Sequence, residues 1–346
     1  MRRLMARWAF CLFAAATPTL AAPAPELDGA ALTAHQCSSC HSFSPDEGGD
    51  VAALASSLGP GLGFAGSKFR REWLEGWLQN PHRIRPAGYL PFRYTIATPQ
   101  GDRIDASLLP VHPRLGPAEA RAVAAYLASL RRELQPFPSA EPNGAIRAEV
   151  HFGKILPCGG CHQARPGAGG VSGPELYTAA QRLSREWTLS YIADPVYWRK
   201  GPMPRINVRS DQLAALGEYI FQGSGTLPPP LGPVALGAAQ SGAPAPPPPA
   251  SDRGAMLYRL LCSQCHGVQG NGKGINAPSL FVSPRDHSSF DEMNALTDER
   301  IFTAIKRGGA SVGKSTLMPS WGGVLTDDDI HLLVGYLRRL SKTESH

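Results

Sequence analysis

One five-residue pattern occurs three times in the chain: Cys37-Ser38-Ser39-Cys40-His41, Cys158-Gly159-Gly160-Cys161-His162 and Cys262-Ser263-Gln264-Cys265-His266. Two thiols two residues apart, followed at once by an imidazole, can add across the vinyl groups of a haem and set the imidazole under its iron. The six cysteines Cys37, Cys40, Cys158, Cys161, Cys262 and Cys265 are therefore candidate attachment points for three covalently bound haem c groups. His41, His162 and His266 are the candidate near-side iron ligands. A single C-x-x-C would also suit a thiol–disulfide pair or half a zinc site. Here only Cys11 of the seven cysteines lies outside the pattern, and zinc would leave each adjacent histidine without a role.

The elements that must position these groups read as helices separated by long loops. Gly 37 and Pro 33 are high counts for 346 residues, and a domain of roughly 90 residues is small for a self-sufficient core. A haem supplies the missing apolar surface. Residues 1–21 read as a cleaved export signal: Arg2, Arg3 and Arg7, an apolar run from Trp8 to Ala16, and a small-residue site at Thr19-Leu20-Ala21. Cys11 leaves with it. No later stretch is apolar enough to span a membrane. The expected location is periplasmic.

An internal repeat organises the first two thirds of the chain. Gly59-Pro60-Gly61-Leu62, Arg71-Glu72-Trp73 and Asn80-Pro81 recur 114 positions later as Gly173-Pro174-Glu175-Leu176, Arg185-Glu186-Trp187 and Asp194-Pro195. Gly88-Tyr89-Leu90-Pro91 and Gly201-Pro202-Met203-Pro204 close the two copies after one small gap. Two units on one plan follow, here 22–138 and 139–222. The Arg-Glu-Trp segments begin amphipathic helices, with Trp73 and Trp187 expected in the core. Helices are predicted over 27–36, 117–130, 211–221, 253–261, 298–306 and 326–340 from apolar spacing and caps. Residues 223–251, rich in Pro, Gly and Ala, read as a linker, and 252–346 as a third unit on that tether, free to swing.

The order helix, C-x-x-C-H, loop, Met-Pro, terminal helix resembles the class I c-type cytochrome family. The resemblance covers most of the chain after residue 21 except the linker. It is most specific in Gly254…Tyr258…Cys262-Ser263-Gln264-Cys265-His266-Gly267 and Met318-Pro319. It implies an all-α fold of three tandem haem domains. It also implies a sulfur ligand from the Met-Pro turn: Met318 for the third haem and Met203 for the second. The triple arrangement resembles cytochrome subunits that serve periplasmic dehydrogenases.

The first unit departs from that pattern, because Leu90 or Leu109 stands where the methionine belongs. His112, shortly before the helix at 117–130, is the first candidate to replace the sulfur, and His82 the second. An open site, or Tyr89, Tyr94 or Lys68, are the alternatives. His35, His151, His287 and His331 read as surface or structural residues. No spare cysteine is left for thiolate ligation.

The implied function is electron transfer from a periplasmic dehydrogenase or quinol-oxidising complex to a small cytochrome or terminal oxidase. Electrons would enter near the first haem and leave through the third. The competing reading is an enzyme with an open first iron, with His112 or Arg93 as distal acid or base; a filament subunit is a third. The precursor's net charge of +6 falls to about +3 without the three signal arginines. Haem propionates would cancel the rest, so nucleic acid is not an expected partner.

Overall fold

The computed structural model describes residues 27–45, 50–137, 141, 143–144, 146–199, 201–222 and 252–342. The predicted signal at 1–21 and linker at 223–251 lie outside the described residues. Helices and loops make up nearly all of the rest. The principal helices are α1 (Gly29–Gln36), α2 (Arg71–Gln79), α3 (Pro117–Ser129), α4 (Arg185–Ala193), α5 (Ser210–Gln222), α6 (Arg253–Leu257), α7 (Asp298–Arg307) and α8 (Asp327–Leu340). Two short antiparallel hairpins, β1 (Thr95–Ile96) with β2 (Arg103–Ile104) and β3 (Gln163–Arg165) with β4 (Ala168–Gly169), were not legible in the sequence. Strands of two or three residues are too short to carry an alternating pattern.

Local chemistry sets the helix boundaries. Asp28 caps α1 by accepting from Ala30 N and Ala31 N at 2.9 and 3.1 Å. Pro117 opens α3 where its missing N–H costs nothing. Thr326 and Asp329 cap α8 reciprocally. The helix predicted over 253–261 is regular only to Leu257. It then widens into a π-turn, Tyr258–Cys262, which delivers the third motif.

In the first and third units the helix leading into the motif crosses the terminal helix closely. A Cβ on Gly29 would lie 2.1 Å from the Ala122 carbonyl oxygen, and one on Gly254 2.5 Å from that of Leu332. Only glycine permits either crossing. Tyr126 and Tyr336 flank the two contacts in the same way, with Cβ atoms 3.2 and 3.1 Å from those positions. On the other side of α3, Leu74 and Leu78 of α2 pack against Ala120, Val123, Ala124 and Leu127.

The two copies of the repeat meet through equivalent residues. Arg70 N donates to Arg182 O at 3.0 Å, and Ser184 N donates to Lys68 O at 2.8 Å. Phe69 and Leu183, 114 positions apart, form the antiparallel bridge between these bonds. Each residue thus contacts its own counterpart's neighbourhood, the signature of a local twofold axis. Phe64 of the first copy is buried with Leu183, Trp187 and Trp198 of the second.

The third unit does not hang free. Val51, Leu54, Ala55, Tyr89, Leu90 and Phe92 of the first unit share one core with Leu257, Tyr258, Leu260, Ile301, Ile305 and Leu333 of the third. Full burial of each such aliphatic or aromatic side chain is worth about 1.5–3 kcal/mol. Asp102 adds two bonds to the third unit, its N–H to the Lys273 carbonyl at 2.8 Å and its carboxylate to Val268 N at 2.7 Å. Arg253 spans Asp50 of the first unit and Asp329 of its own. The swinging third unit expected from the linker composition is corrected accordingly. The partners of the apolar residues of 50–55 and 89–92 lie some 200 positions away, so no local pattern marks these residues as core.

Candidate haem sites

All three motifs open onto one continuous cavity of about 1330 Å³. That exceeds the roughly 300–1,000 Å³ of a typical small-molecule site. Its wall includes every motif cysteine and histidine, and the apolar side chains of Trp77, Phe152, Leu216, Ile220, Leu261 and Ile305.

Each motif imidazole is held in one tautomer. Nδ1 of His41 donates to the Pro60 carbonyl at 2.7 Å, Nδ1 of His162 to Pro174 at 2.8 Å, and Nδ1 of His266 to Arg285 at 3.0 Å. A carbonyl only accepts, so Nδ1 carries the proton and Nε2 is left bare for a metal. Pro60 and Pro174 are equivalent in the repeat. Their preceding glycines, Gly59 and Gly173, sit against the rings: an added Cβ would fall 2.8 Å from His41 Cε1 and 2.6 Å from His162 Cε1. The Gly-Pro pair that marked the repeat in the sequence is thus the device that orients the imidazole. Burial pushes His162 down to about 4, with Arg85 and Arg182 adding to the effect. A neutral ring is the form that binds a metal.

The thiols of the second and third motifs do not suit disulfide chemistry. Burial pushes Cys158 and Cys262 up to about 12, and Cys161 and Cys265 upward as well. A reactive C-x-x-C pair needs a depressed thiol. Among the described residues, no three His, Cys, Asp or Glu side chains gather as a metal cage, so the thiols stand in pairs rather than in zinc-type sites.

The cavity also carries half-buried cations. The guanidinium carbons of Arg85 and Arg199 lie 5.5 and 5.3 Å from the Tyr89 ring centroid. Burial lowers Arg85, and the groups acting on it are Tyr89, Tyr191 and Arg199, with no carboxylate among them. A buried cation needs an anion. Haem propionates supply one, so the residues present fit the group the motifs call for.

The structure brings His112 to the first motif. Its ring centroid lies 6.2 Å from that of His41, with the planes at 51°. His112 Nδ1 donates to the Pro113 carbonyl at 2.9 Å, which leaves its Nε2 bare too. Burial lowers its pKa. Met203 and Met318 both line the cavity. The loop carrying Met318 is pinned by Gly309 N, which donates to the Met318 carbonyl at 3.0 Å.

Of the other candidates, Lys68, His82, Tyr89 and Leu90 also line the cavity, each with its own packing partners. Leu90 and Leu109 are buried in apolar surroundings. Lys68 Nζ lies 4.7 Å over the Phe69 ring and 5.1 Å over Trp187. His82 is buried edge-on to Trp73 and Trp77, at 6.3 and 6.5 Å. Arg93 donates to the Ala55 carbonyl and is not part of the cavity wall. Trp187 is buried, while Trp73 is partly buried and stacks between Phe69 and Trp77. His287, read as a surface or structural residue, is buried and stacks on His266 at 4.1 Å and 15°. Its position in Asp286-His287-Ser288 gave no signal for that contact.

Fold and site together define a class: a helical protein built to hold covalently attached haem. Comparison with known families agrees. Residues 27–131 match the family model described as Cytochrome c, and residues 249–337 match that described as Cytochrome C oxidase, cbb3-type, subunit III. These matches support a c-type cytochrome family and imply an electron-transfer haem protein. Each matched stretch holds one motif, and Cys158–His162 lies between them. No curated protein and no solved structure matches the chain. Among the described residues, no helix is long and apolar enough to cross a membrane.

Proposed function

We propose that the chain is an exported triple-haem cytochrome c that conducts electrons between a periplasmic dehydrogenase or quinol-oxidising complex and a terminal acceptor. The observation that carries this reading is the single cavity shared by three C-x-x-C-H motifs. Bound haem supplies one-electron redox chemistry; the protein supplies attachment, ligands and insulation from water. His41, His162 and His266 are the near-side ligands. Met203 and Met318 are the far-side ligands at the second and third sites, and His112 at the first.

Methionine at two sites and histidine at the first rank the first site lowest in potential. Electrons then enter there, pass to the second site and leave through the third. The match of residues 249–337 to an oxidase subunit family supports an oxidase, or its donor, as the terminal acceptor. The reading of an open catalytic iron at the first site is disfavoured by the closeness of the His112 ring to His41, with its Nε2 left bare.

The test is intact mass and haem absorbance of the exported chain, followed by a redox titration. Three haems per chain, with the lowest potential lost or shifted by substitution at His112, supports the proposal. Fewer haems, or a first site highest in potential, overturns it.

A further inference from the structure

We infer that Ser172 and Asn276 are positioning residues that lock the second and third haem-attachment sites edge to edge and make them an electronically coupled pair. The inference rests on the haem reading above and adds which two sites are joined, and through which side chains.

The contacts run from one motif sulfur into the loop that backs the other motif. Asn276 Nδ2 donates to Cys265 Sγ at 4.0 Å and to Ser172 Oγ at 2.7 Å. The residue after Ser172, Gly173, donates its N–H to the Cys161 carbonyl at 2.8 Å. Cys161 and Cys265 are the second cysteines of their motifs, so the bridge joins corresponding edges of the two sites. The Cys265 sulfur is an acceptor in it. A thioether keeps that capacity after the thiol proton is lost, so the bridge survives haem attachment.

Asn276 is fixed with no freedom left. It is fully buried. Its Oδ1 accepts from Val171 N at 2.9 Å and Ser172 N at 3.2 Å, and its own N–H donates to the Gln264 carbonyl, inside the third motif, at 2.8 Å. The opposite amide orientation would set an NH₂ against two backbone donors. Gly170 allows the approach: a Cβ there would fall 2.2 Å from the Gly160 oxygen and 2.9 Å from Asn276 Oδ1. One side chain thus satisfies backbone in one attachment loop while hanging from the other. A surface contact between two units needs no such arrangement.

The step served is a single electron exchange, ferrous to ferric on one side and ferric to ferrous on the other. No bond forms or breaks. No proton moves, because Asn276 only donates to the Cys265 sulfur.

The test uses the full-length, haem-loaded protein and paramagnetic resonance during a redox titration. In the parent protein, the ferric signals of the second and third sites broaden each other, and reducing one sharpens the other. Ser172→Ala removes one hydroxyl, and Asn276→Asp keeps the shape and the Oδ1 acceptor while losing the Nδ2 donor. Both are expected to keep full haem content and to lose much of the mutual broadening. Electron redistribution after flash photoreduction slows several-fold. Ser279→Ala, which breaks the neighbouring 2.9 Å bond to the Gly169 carbonyl without touching either sulfur, leaves both readouts unchanged. Ser172→Ala and Asn276→Asp with full haem content and parental coupling overturn the inference, as does an equal loss in Ser279→Ala. Absence of haem at Cys158/Cys161 or Cys262/Cys265 overturns the functional reading itself.

Discussion

The imidazoles of His41 and His112 lie at the first site with their centroids 6.2 Å apart and their planes at 51°. Rings that close could both hold one metal through nitrogen. Both rings donate through Nδ1 to a backbone carbonyl, Pro60 and Pro113. Replacing His112 by Ala in the whole protein is expected to open one iron to carbon monoxide and raise the lowest midpoint potential. A difference spectrum of the reduced protein checks this. Stoichiometric carbon monoxide binding at that site before substitution would sink the assignment.

Gly173→Ala sets a methyl against the His162 ring, 2.6 Å from Cε1. The ring must tilt away from the Pro174 carbonyl, at a cost of about 1–3 kcal/mol. The second site's spectrum and midpoint should shift and the melting temperature fall. Gly76→Ala is the control. Its position in α2 is open, with nothing within 4 Å of the new Cβ, and it should stabilise by about 0.5–1 kcal/mol.

Met318→His should lower one midpoint, because imidazole usually gives a lower potential than thioether sulfur. Met318→Ala should leave that iron accessible to carbon monoxide. Met203 should behave alike at the second site. If neither substitution moves a potential, the two methionines are wall residues only.

Arg85→Gln removes a cation from the cavity near the second motif. A positive charge favours the form that has gained an electron, so the nearby midpoint should fall. Lower ionic strength should not restore it, since buried charges are little screened. A redox titration of this variant at two salt concentrations is the measurement, and an unchanged midpoint would remove Arg85 from the propionate site.

Asp329 gives a pH dependence. Burial pushes its carboxyl up, but Arg253, 2.6 Å away, and Thr326 outweigh that and hold it below the usual range. A depressed carboxylate stabilises the fold above the unfolded value of about 3.9, and that contribution is lost as pH falls through the folded value. Melting temperature should drop as pH is lowered from about 5 towards 3. Asp329→Asn should cost about 1.5–3 kcal/mol at neutral pH and flatten the acid slope. A slope unchanged by the substitution would locate the acid-labile group elsewhere.

What was legible in the sequence was local. The motifs, the repeat, the Thr326 cap and the spans of α3, α7 and α8 depend on neighbours within a few residues, and the structure agrees with them closely. The approach of His112 to the first site was also anticipated, because its absent competitor, a methionine, left few donors near α3. The contacts between units were hidden. Nothing near Asn276 announces a partner at Ser172, and Arg85 reads as an ordinary surface cation until its surroundings are known. Tyr89 and Leu90 looked like candidates for a ligand turn, yet they are core for a segment that follows them by some 200 residues.

That shared core has a consequence for biogenesis. Leu54, Tyr89, Leu90 and Phe92 are covered by residues translated some 200 positions later. Until those arrive, the first unit shows a sticky apolar face of the kind that feeds aggregation and proteolysis. A chain cut short before residue 252 would carry that face permanently. The third unit therefore acts as a seal that hides the mark of an unfinished first one.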